Sequence, residues 1–173
     1  MQGELAWEHV VEDIPAAGSA FERSATPEEC EAIASGLDLL GCRSLLVRYA
    51  LMPRGSGHVH LSGSLQAQVE QTCVVTLEPL LNDVAASFKV DYWPETEMPE
   101  PSGGAVDMQD DTDLEPIVAG RIEVGRVVFQ SLAGAIDLFP RKPGVSFEAP
   151  EEDGSATQAD SPFAALAKIK NKQ

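Results

Sequence analysis

Basic residues, aromatic side chains and cysteines are all scarce in this chain, and each shortage excludes a class of protein. Only 12 Lys and Arg stand against 28 Asp and Glu, which gives a formal net charge of -16. That charge opposes general attraction to nucleic acid or anionic lipid and favours a basic partner. Aromatic residues make up 6% of the chain, too few for an extended base-stacking surface. The three cysteines, Cys30, Cys42 and Cys73, lack CxxC spacing and fit a reduced protein without a disulfide framework.

Long apolar runs are also missing. None approaches the roughly 20 residues that a membrane-spanning helix needs, and the first residues lack the basic and apolar segments of a signal peptide. We therefore expect a cytoplasmic protein that does not bind membranes. Its length predicts a single domain, which we place at residues 1–147. A run of acidic residues predicts a long acidic loop within it at about 94–112. Residues 148–173 are expected to form a flexible acidic tail that contains a short terminal helix.

The middle of the chain has the alternating pattern of β-strands. In residues 58–72, Val59, Leu61, Leu65, Ala67 and Val69 alternate with polar residues, and residues 84–93 repeat the pattern. Residues 43–52 are more apolar and predict a buried strand. A Gly- and Pro-rich turn follows them at 53–57, and Pro79, which has no N–H to donate, marks the next turn. These features predict an antiparallel meander of 43–52, 58–72 and 84–93.

Two segments have helical spacing. Thr26, Pro27 and Glu29 provide an N-cap, a first-turn proline and a capping box, which predicts a helix over 26–36 that Gly36 ends. A second helix is predicted over 122–136, in which Gly125 and Gly134 each cost about 1 kcal/mol relative to alanine. We expect both helices to pack on the apolar face of the antiparallel sheet, which makes the fold α+β.

Three further features are predicted around this scaffold. Residues 5–14 have an irregular β-like pattern that indicates an edge strand, and residues 114–118 indicate a short strand. Gly63 interrupts the apolar face of the longest strand and predicts a bulge or a sharp bend.

The clearest candidate binding residues are basic. His58 and His60 lie on one strand face and could bind a metal or act as an acid–base pair. No third ligand is spaced nearby, so two solvent-facing histidines are favoured over a zinc site. Together with Arg48 and Arg54 they predict a local basic binding face, which Arg141 and Lys142 would extend.

Other reactive or acidic residues have simpler interpretations. Cys73 shares a strand face with Val69, which favours a buried small hydrophobe over a nucleophile, and Cys30 and Cys42 are predicted to be structural. Residues 107–115 cluster carboxylates but lack the glycine and terminal glutamate of a calcium-binding EF-hand in register, so a solvated loop is favoured. No nucleophile elbow, P-loop or dinucleotide-binding glycine pattern is present. We therefore predict no catalytic residues, no metal and no cofactor.

Three sequence blocks carry a resemblance to a known family. They are Gln71-Thr-Cys-Val-Val-Thr-Leu-Glu-Pro79 with Phe88-Lys-Val-Asp-Tyr92, Asp113-Leu-Glu-Pro-Ile-Val-Ala-Gly-Arg-Ile-Glu-Val-Gly125 running to Leu138-Phe-Pro-Arg-Lys-Pro-Gly144, and Ser161-Pro-Phe-Ala-Ala-Leu-Ala-Lys168. In these blocks, and in their order, the chain resembles the bacterial YceD family in its alphaproteobacterial form. The resemblance implies a role in the accumulation of large-subunit ribosomal RNA and no established catalytic activity. It also implies a gene commonly beside that of a small basic large-subunit ribosomal protein.

The resemblance is incomplete at the cysteine. Many relatives have a second or third cysteine near the first, in a Cys-x-x-Cys-like arrangement, whereas Val75 and Thr76 follow Cys73 and Val74 here. A metal site therefore does not carry over to this chain.

Three functions are open at this point. The first is a non-enzymatic factor in large-subunit biogenesis that binds large-subunit rRNA, a small basic ribosomal protein, or both. The second is an adaptor whose acidic loop 95–113 docks a basic protein without touching RNA. The third and weakest is an rRNA-processing enzyme, for which no carboxylate or histidine cluster has nuclease spacing.

Overall fold

The computed structural model describes residues 5–98 and 113–146. The chain divides into two units, residues 1–143 and 144–173, and all elements named below belong to the first. Most of the predicted acidic loop, and the tail with its terminal helix, lie outside the described residues. The elements are, in chain order, β1 (Glu8–Val10), β2 (Ser19–Ser24), α1 (Pro27–Gly36), β3 (Gly41–Gly55), β4 (His58–Thr72), β5 (Pro79–Pro94), β6 (Asp113–Ile117), β7 (Arg121–Glu123) and α2 (Val124–Ala135).

The three long strands form the predicted meander. β3 pairs antiparallel with β4, and β4 pairs antiparallel with β5, within a five-stranded sheet of order β2-β3-β4-β5-β6. β4 has the predicted bounds, whereas β3 and β5 extend beyond theirs. β3 continues to Gly55 and β4 begins at His58, because Ser56 and Gly57 between them both adopt positive φ, at 52° and 79°, and form a tight two-residue turn. The α+β fold is therefore confirmed.

The predicted bulge at Gly63 is wrong. Gly63 pairs in regular register with Tyr49 on one side and Phe88 on the other, and the register shifts of β3 lie elsewhere, at 42–44 and 53–55. A Cβ at Gly63 would lie 2.6 Å from Cζ of Phe88 and 2.7 Å from the backbone oxygen of Arg48. The residue is a glycine because the phenyl ring of its cross-strand neighbour occupies the space of a side chain.

The edges of the sheet differ from the prediction. Of residues 5–14 only Glu8–Val10 forms a strand, and it pairs with β7 in a separate two-stranded sheet. The edge strand beside β3 is β2, whose mostly exposed side chains leave little alternation in the sequence. The short strand predicted at 114–118 exists as β6, but it joins β5 in parallel.

Both helices pack on the inner face of the sheet. Ile33 of α1 and Leu132 of α2 belong to one hydrophobic cluster with the inward residues of β3, β4 and β5, which confirms the predicted layering. The capping box at Thr26 and Glu29 is confirmed, although the left-handed residue after α1 is Asp38, with φ 53°, and not Gly36. No helix among the described residues is long and apolar enough to cross a membrane.

Candidate functional site

The face of the sheet opposite the helices carries the first group of predicted binding residues. Side chains on this outer face are mostly polar or small, because alternate residues of β2 to β5 point away from the core. They include Ala20, Glu22, Arg48, Ala50, His60, Ser62, Ser64, Gln66, Lys89 and Asp91. On this face the side chain of Arg48 is 59% exposed, whereas that of His60 is only 17% exposed and is not the solvent-facing histidine that the sequence predicted.

Each of these two side chains lies against a carboxylate. Arg48 forms an ion pair with Glu22 across β2 and β3. His60 places Nδ1 2.6 Å from Oδ1 of Asp91, its cross-strand neighbour on β5. The predicted basic residues of this face, Arg48 and His60, thus already have carboxylate partners within the protein itself.

His58 lies at the tip of the β3–β4 hairpin and is held from two sides. Its Nε2 is 2.8 Å from Oε2 of Glu97, and its ring stacks on Trp93 with centroids 4.7 Å apart and planes inclined by 4°. Arg54, in the same hairpin, has no ion-pair partner within residues 5–98 and 113–146. Neither histidine belongs to a group of three metal-ligating side chains in the part of the chain that the structure describes.

Arg141 and Lys142 lie at the other end of the sheet. Lys142 contacts the β4–β5 hairpin, where its Nζ is 2.6 Å from Oε2 of Glu78. β4 runs from His58 to Thr72, and at ~3.3 Å per residue its ends are roughly 45 Å apart. The six predicted residues therefore form two separate groups and not one continuous face. Sequence alone did not reveal which hairpin the segment after α2 contacts.

The β4–β5 hairpin closes around the sulfur of Cys73. The backbone N–H of Cys73 donates to the Glu78 carbonyl at 2.9 Å, and Leu77 donates back to the Cys73 carbonyl at 2.9 Å. Sγ in turn accepts backbone N–H groups from Thr76 at 3.5 Å and from Lys142 at 3.4 Å. Cys73 is fully buried, as predicted, but its sulfur is also a hydrogen-bond acceptor at the centre of the turn.

These donors change the acidity of the thiol. Hydrogen bonds from Thr76, with further backbone donors from Lys142 and Val75, lower the pKa of Cys73 to about 6, although burial acts in the opposite direction. At Cys42, in contrast, burial and the neighbouring Cys30 raise the pKa to about 12. An anionic Cys73 would attract the N–H groups that surround it and so tie the Lys142 segment to the hairpin.

The segment after α2 is attached to the same hairpin by a second set of contacts. The buried side chain of Gln71 donates from Nε2 to the Asp137 carbonyl at 2.8 Å and accepts from Nδ2 of Asn82 at 2.8 Å. Val74 donates its N–H to the Pro140 carbonyl at 2.9 Å. Residues 137–142 are thus bound across the end of β4 and β5.

This attachment leaves an exposed apolar surface, which we call the apolar tip: Val74, Leu77, Leu138 and Phe139. Their exposed fractions are 42%, 76%, 77% and 69%. Leu40 and Leu81 are also exposed and flank the same end. Leu40 donates its backbone N–H to the carbonyl of Glu70, and Leu81 is the cross-strand partner of Glu70. Sequence reasoning missed this surface. The only signal was Leu138-Phe139 directly after a helix and before Pro140, where a buried pair is the ordinary expectation.

The family comparison covers the same parts of the molecule. A family model described as large ribosomal RNA subunit accumulation protein YceD matches residues 61–170, more than half of the chain. No curated protein and no solved structure matches. The matched range begins within β4 and includes the Cys73 turn, α2 and the segment 137–142. The chain therefore belongs to the YceD family, whose description connects it to the accumulation of large-subunit ribosomal RNA.

Proposed function

We propose that this chain is a non-enzymatic, cytoplasmic factor in large ribosomal subunit biogenesis, and that it supports rRNA accumulation by binding a small basic ribosomal protein. Family membership over residues 61–170 is the observation that carries the proposal, because the family description names the process. The stabilising effect on rRNA then follows indirectly, through delivery or protection of a protein that the RNA requires.

The charge of the chain supports a protein partner. A net charge of -16 attracts basic proteins over a distance set by the ionic strength, and it repels phosphates. Locally, Arg48 and Lys142 are each paired with a carboxylate, which reduces their capacity to bind phosphate.

Direct contact with large-subunit rRNA is the second candidate. Arg54 and Arg141 favour it, because neither has an ion-pair partner within the described ranges, 5–98 and 113–146. The stacked pair of His58 and Trp93 beside Arg54 is also a surface on which a base could stack.

A role without catalysis is supported by how the reactive side chains are held. Cys73 is fully buried beneath the hairpin and cannot meet a substrate without opening the fold. His58 and His60 both contact carboxylates and lie in different surroundings, which does not provide the convergent geometry of a nuclease site.

The test is the ratio of large-subunit to small-subunit rRNA in cells that lack the chain. The proposal predicts a lower ratio, with small-subunit rRNA unchanged, and restoration by the wild-type gene. An unchanged ratio would contradict the proposal. Purified full-length protein incubated with large-subunit rRNA and magnesium should leave the RNA intact, and cleavage would contradict the non-enzymatic role.

A further inference from the structure

We propose that the apolar tip, formed by Val74, Leu77, Leu138 and Phe139, is the docking site for an amphipathic segment of a basic protein. Such a segment would place apolar side chains on the tip and Lys or Arg side chains on the carboxylates around it. The inference rests on the proposed function, because it assigns a surface and a recognition chemistry to the protein partner proposed there.

Exposed apolar residues are concentrated at one end of the molecule. Of the eight large apolar side chains exposed within the described residues, four form the apolar tip and Leu40 and Leu81 flank it. The remaining two, Met52 and Val118, lie elsewhere: Met52 pairs with His60 near the opposite end of the long strands. Isolated exposed apolar residues are ordinary on protein surfaces, whereas a cluster of this kind marks an interaction site.

The apolar tip is also held in place. Hydrogen bonds from Val74 to Pro140, from Lys142 to Cys73 and from Gln71 to Asp137 fix both of its segments. The turn holds Leu77 at φ 58°, a backbone conformation that residues other than glycine rarely adopt. A surface that is already ordered loses little conformational entropy when a partner binds.

The charges around the apolar tip favour a basic protein as its occupant. The carboxylates of Glu70, Glu78, Asp83 and Asp137 lie at this end, together with the cations Arg43, Arg141 and Lys142. Arg43 pairs with Glu70 and Lys142 with Glu78, whereas Asp83 and Asp137 have no ion-pair partner within residues 5–98 and 113–146. Carboxylates around an apolar centre complement a partner with basic residues around an apolar anchor. A second copy of this chain would bring another net charge of -16 to the interface, and RNA would place phosphates beside these carboxylates.

The direct test uses full-length protein and synthetic helical peptides as probes. The first peptide has leucines on one face and lysines on the other. In the second, serines replace the leucines, and in the third, glutamates replace the lysines. The apolar tip should bind the leucine–lysine peptide, while the lysine–serine peptide binds at least about tenfold more weakly and the leucine–glutamate peptide does not bind.

The decisive comparison is between matched surface variants. The double variant Leu138→Ser, Phe139→Ser removes two exposed apolar side chains from the tip, and Val118→Ser removes one that is 56% exposed elsewhere. We expect the double variant to weaken leucine–lysine binding by at least about tenfold and Val118→Ser to leave it within about twofold. A second tip variant, Leu77→Asn, keeps a residue that tolerates positive φ and should weaken binding in the same direction.

Equal binding by the tip variants and by Val118→Ser would overturn the inference. The inference would also be overturned if the tip variants lost binding to protein-free large-subunit rRNA but kept their binding to the peptide, because RNA would then be the occupant. The two proposals fail separately. If cells lacking the chain have normal rRNA, the proposed function fails while the peptide result still decides the surface. If rRNA falls in those cells and the Leu138→Ser, Phe139→Ser variant restores it fully, the proposed function stands and the tip is not its docking site.

Discussion

Lys142 donates its backbone N–H to Sγ of Cys73 over 3.4 Å, although the two residues are 69 positions apart in the sequence. The side chain of Lys142 reaches Glu78 in the same hairpin, with 2.6 Å between Nζ and Oε2. Two bonds from one residue thus join the segment after α2 to the turn between β4 and β5. Since this segment carries Leu138 and Phe139, the same bonds set the position of the apolar tip.

The first prediction is a pH-dependent stability that depends on Cys73. Its pKa is lowered to about 6 in the folded protein, and an unfolded thiol titrates near its ordinary value of about 8.5. A lowered pKa means that the contribution of Cys73 is fully present above the unfolded value and is lost as the pH falls through about 6. The difference in unfolding free energy between wild type and Cys73→Ala should therefore grow from pH 6 to pH 9, measured by urea denaturation.

Thiolate absorbance at 240 nm provides the spectroscopic check. The absorbance of the wild type minus that of Cys73→Ala should show a titration centred near pH 6. Cys42, with a pKa raised to about 12, should not contribute to this difference. A difference in stability that is independent of pH, together with no titration below pH 8, would show that Cys73 is a neutral packing residue.

The second prediction concerns Gly63. In Gly63→Ala the new Cβ would lie 2.6 Å from Cζ of Phe88 and 2.7 Å from a backbone oxygen. We expect a loss of about 1–3 kcal/mol in unfolding free energy, because the ring or the strand must move. The matched control is Gly134→Ala, which meets nothing within 4 Å in α2 and should stabilise the protein by about 0.5–1 kcal/mol. Equal effects of the two substitutions would mean that Gly63 is not required by close approach.

The third prediction concerns the ion pair that joins β6 to α2. Arg126 donates from Nη2 to Oε2 of Glu115 at 2.6 Å and from Nη1 to Oε1 at 3.2 Å, and both side chains are mostly buried. A double-mutant cycle with Glu115→Gln and Arg126→Met should give a coupling energy of about 1–3 kcal/mol from urea denaturation. The exposed pair Arg121–Glu8 is the comparison and should couple by less than about 1 kcal/mol. Similar coupling in the two pairs would contradict the difference in burial.

The fourth prediction separates protein binding from RNA binding at Arg48 on the outer face and Arg54 in the β3–β4 hairpin. If a basic protein is the partner, the double variant Arg48→Ala, Arg54→Ala should restore large-subunit rRNA in cells as well as wild type does. Stability should change little, because Arg48 and Glu22 form an exposed pair. If the RNA is contacted directly, the variant should instead bind rRNA more weakly, and the slope of log affinity against log salt should fall by about one for each lost phosphate contact.

The sequence predicted the parts of the fold that depend on local patterns. Alternation of apolar and polar residues gave the meander, and Thr26 with Glu29 gave the start of α1, because both signals arise from neighbours in the chain. The parallel pairing of β6 could not be predicted in this way. Nor could the role of Gly125, where a Cβ would lie 1.8 Å from the backbone oxygen of Leu5. Such contacts join residues that are far apart in the sequence, and local sequence patterns do not encode them.

The candidate site likewise depends on contacts between residues that are far apart in the sequence. His58 and His60 were correctly placed on the strand β4, but their carboxylate partners Glu97 and Asp91 lie 39 and 31 positions away. A basic residue seen in sequence is a free cation only if tertiary structure leaves it unpaired. The apolar tip is the converse case, because Leu138 and Phe139 are residues that a sequence pattern assigns to the core.

The most direct test of a protein partner is a competition on immobilised full-length chain. Purified large-subunit ribosomal proteins and protein-free large-subunit rRNA are offered together, and the amount of each retained is measured as salt increases. We predict that a small basic ribosomal protein is retained, that rRNA is not, and that Leu138→Ser with Phe139→Ser releases the protein whereas Val118→Ser does not. Retention of rRNA without any ribosomal protein would contradict the proposal.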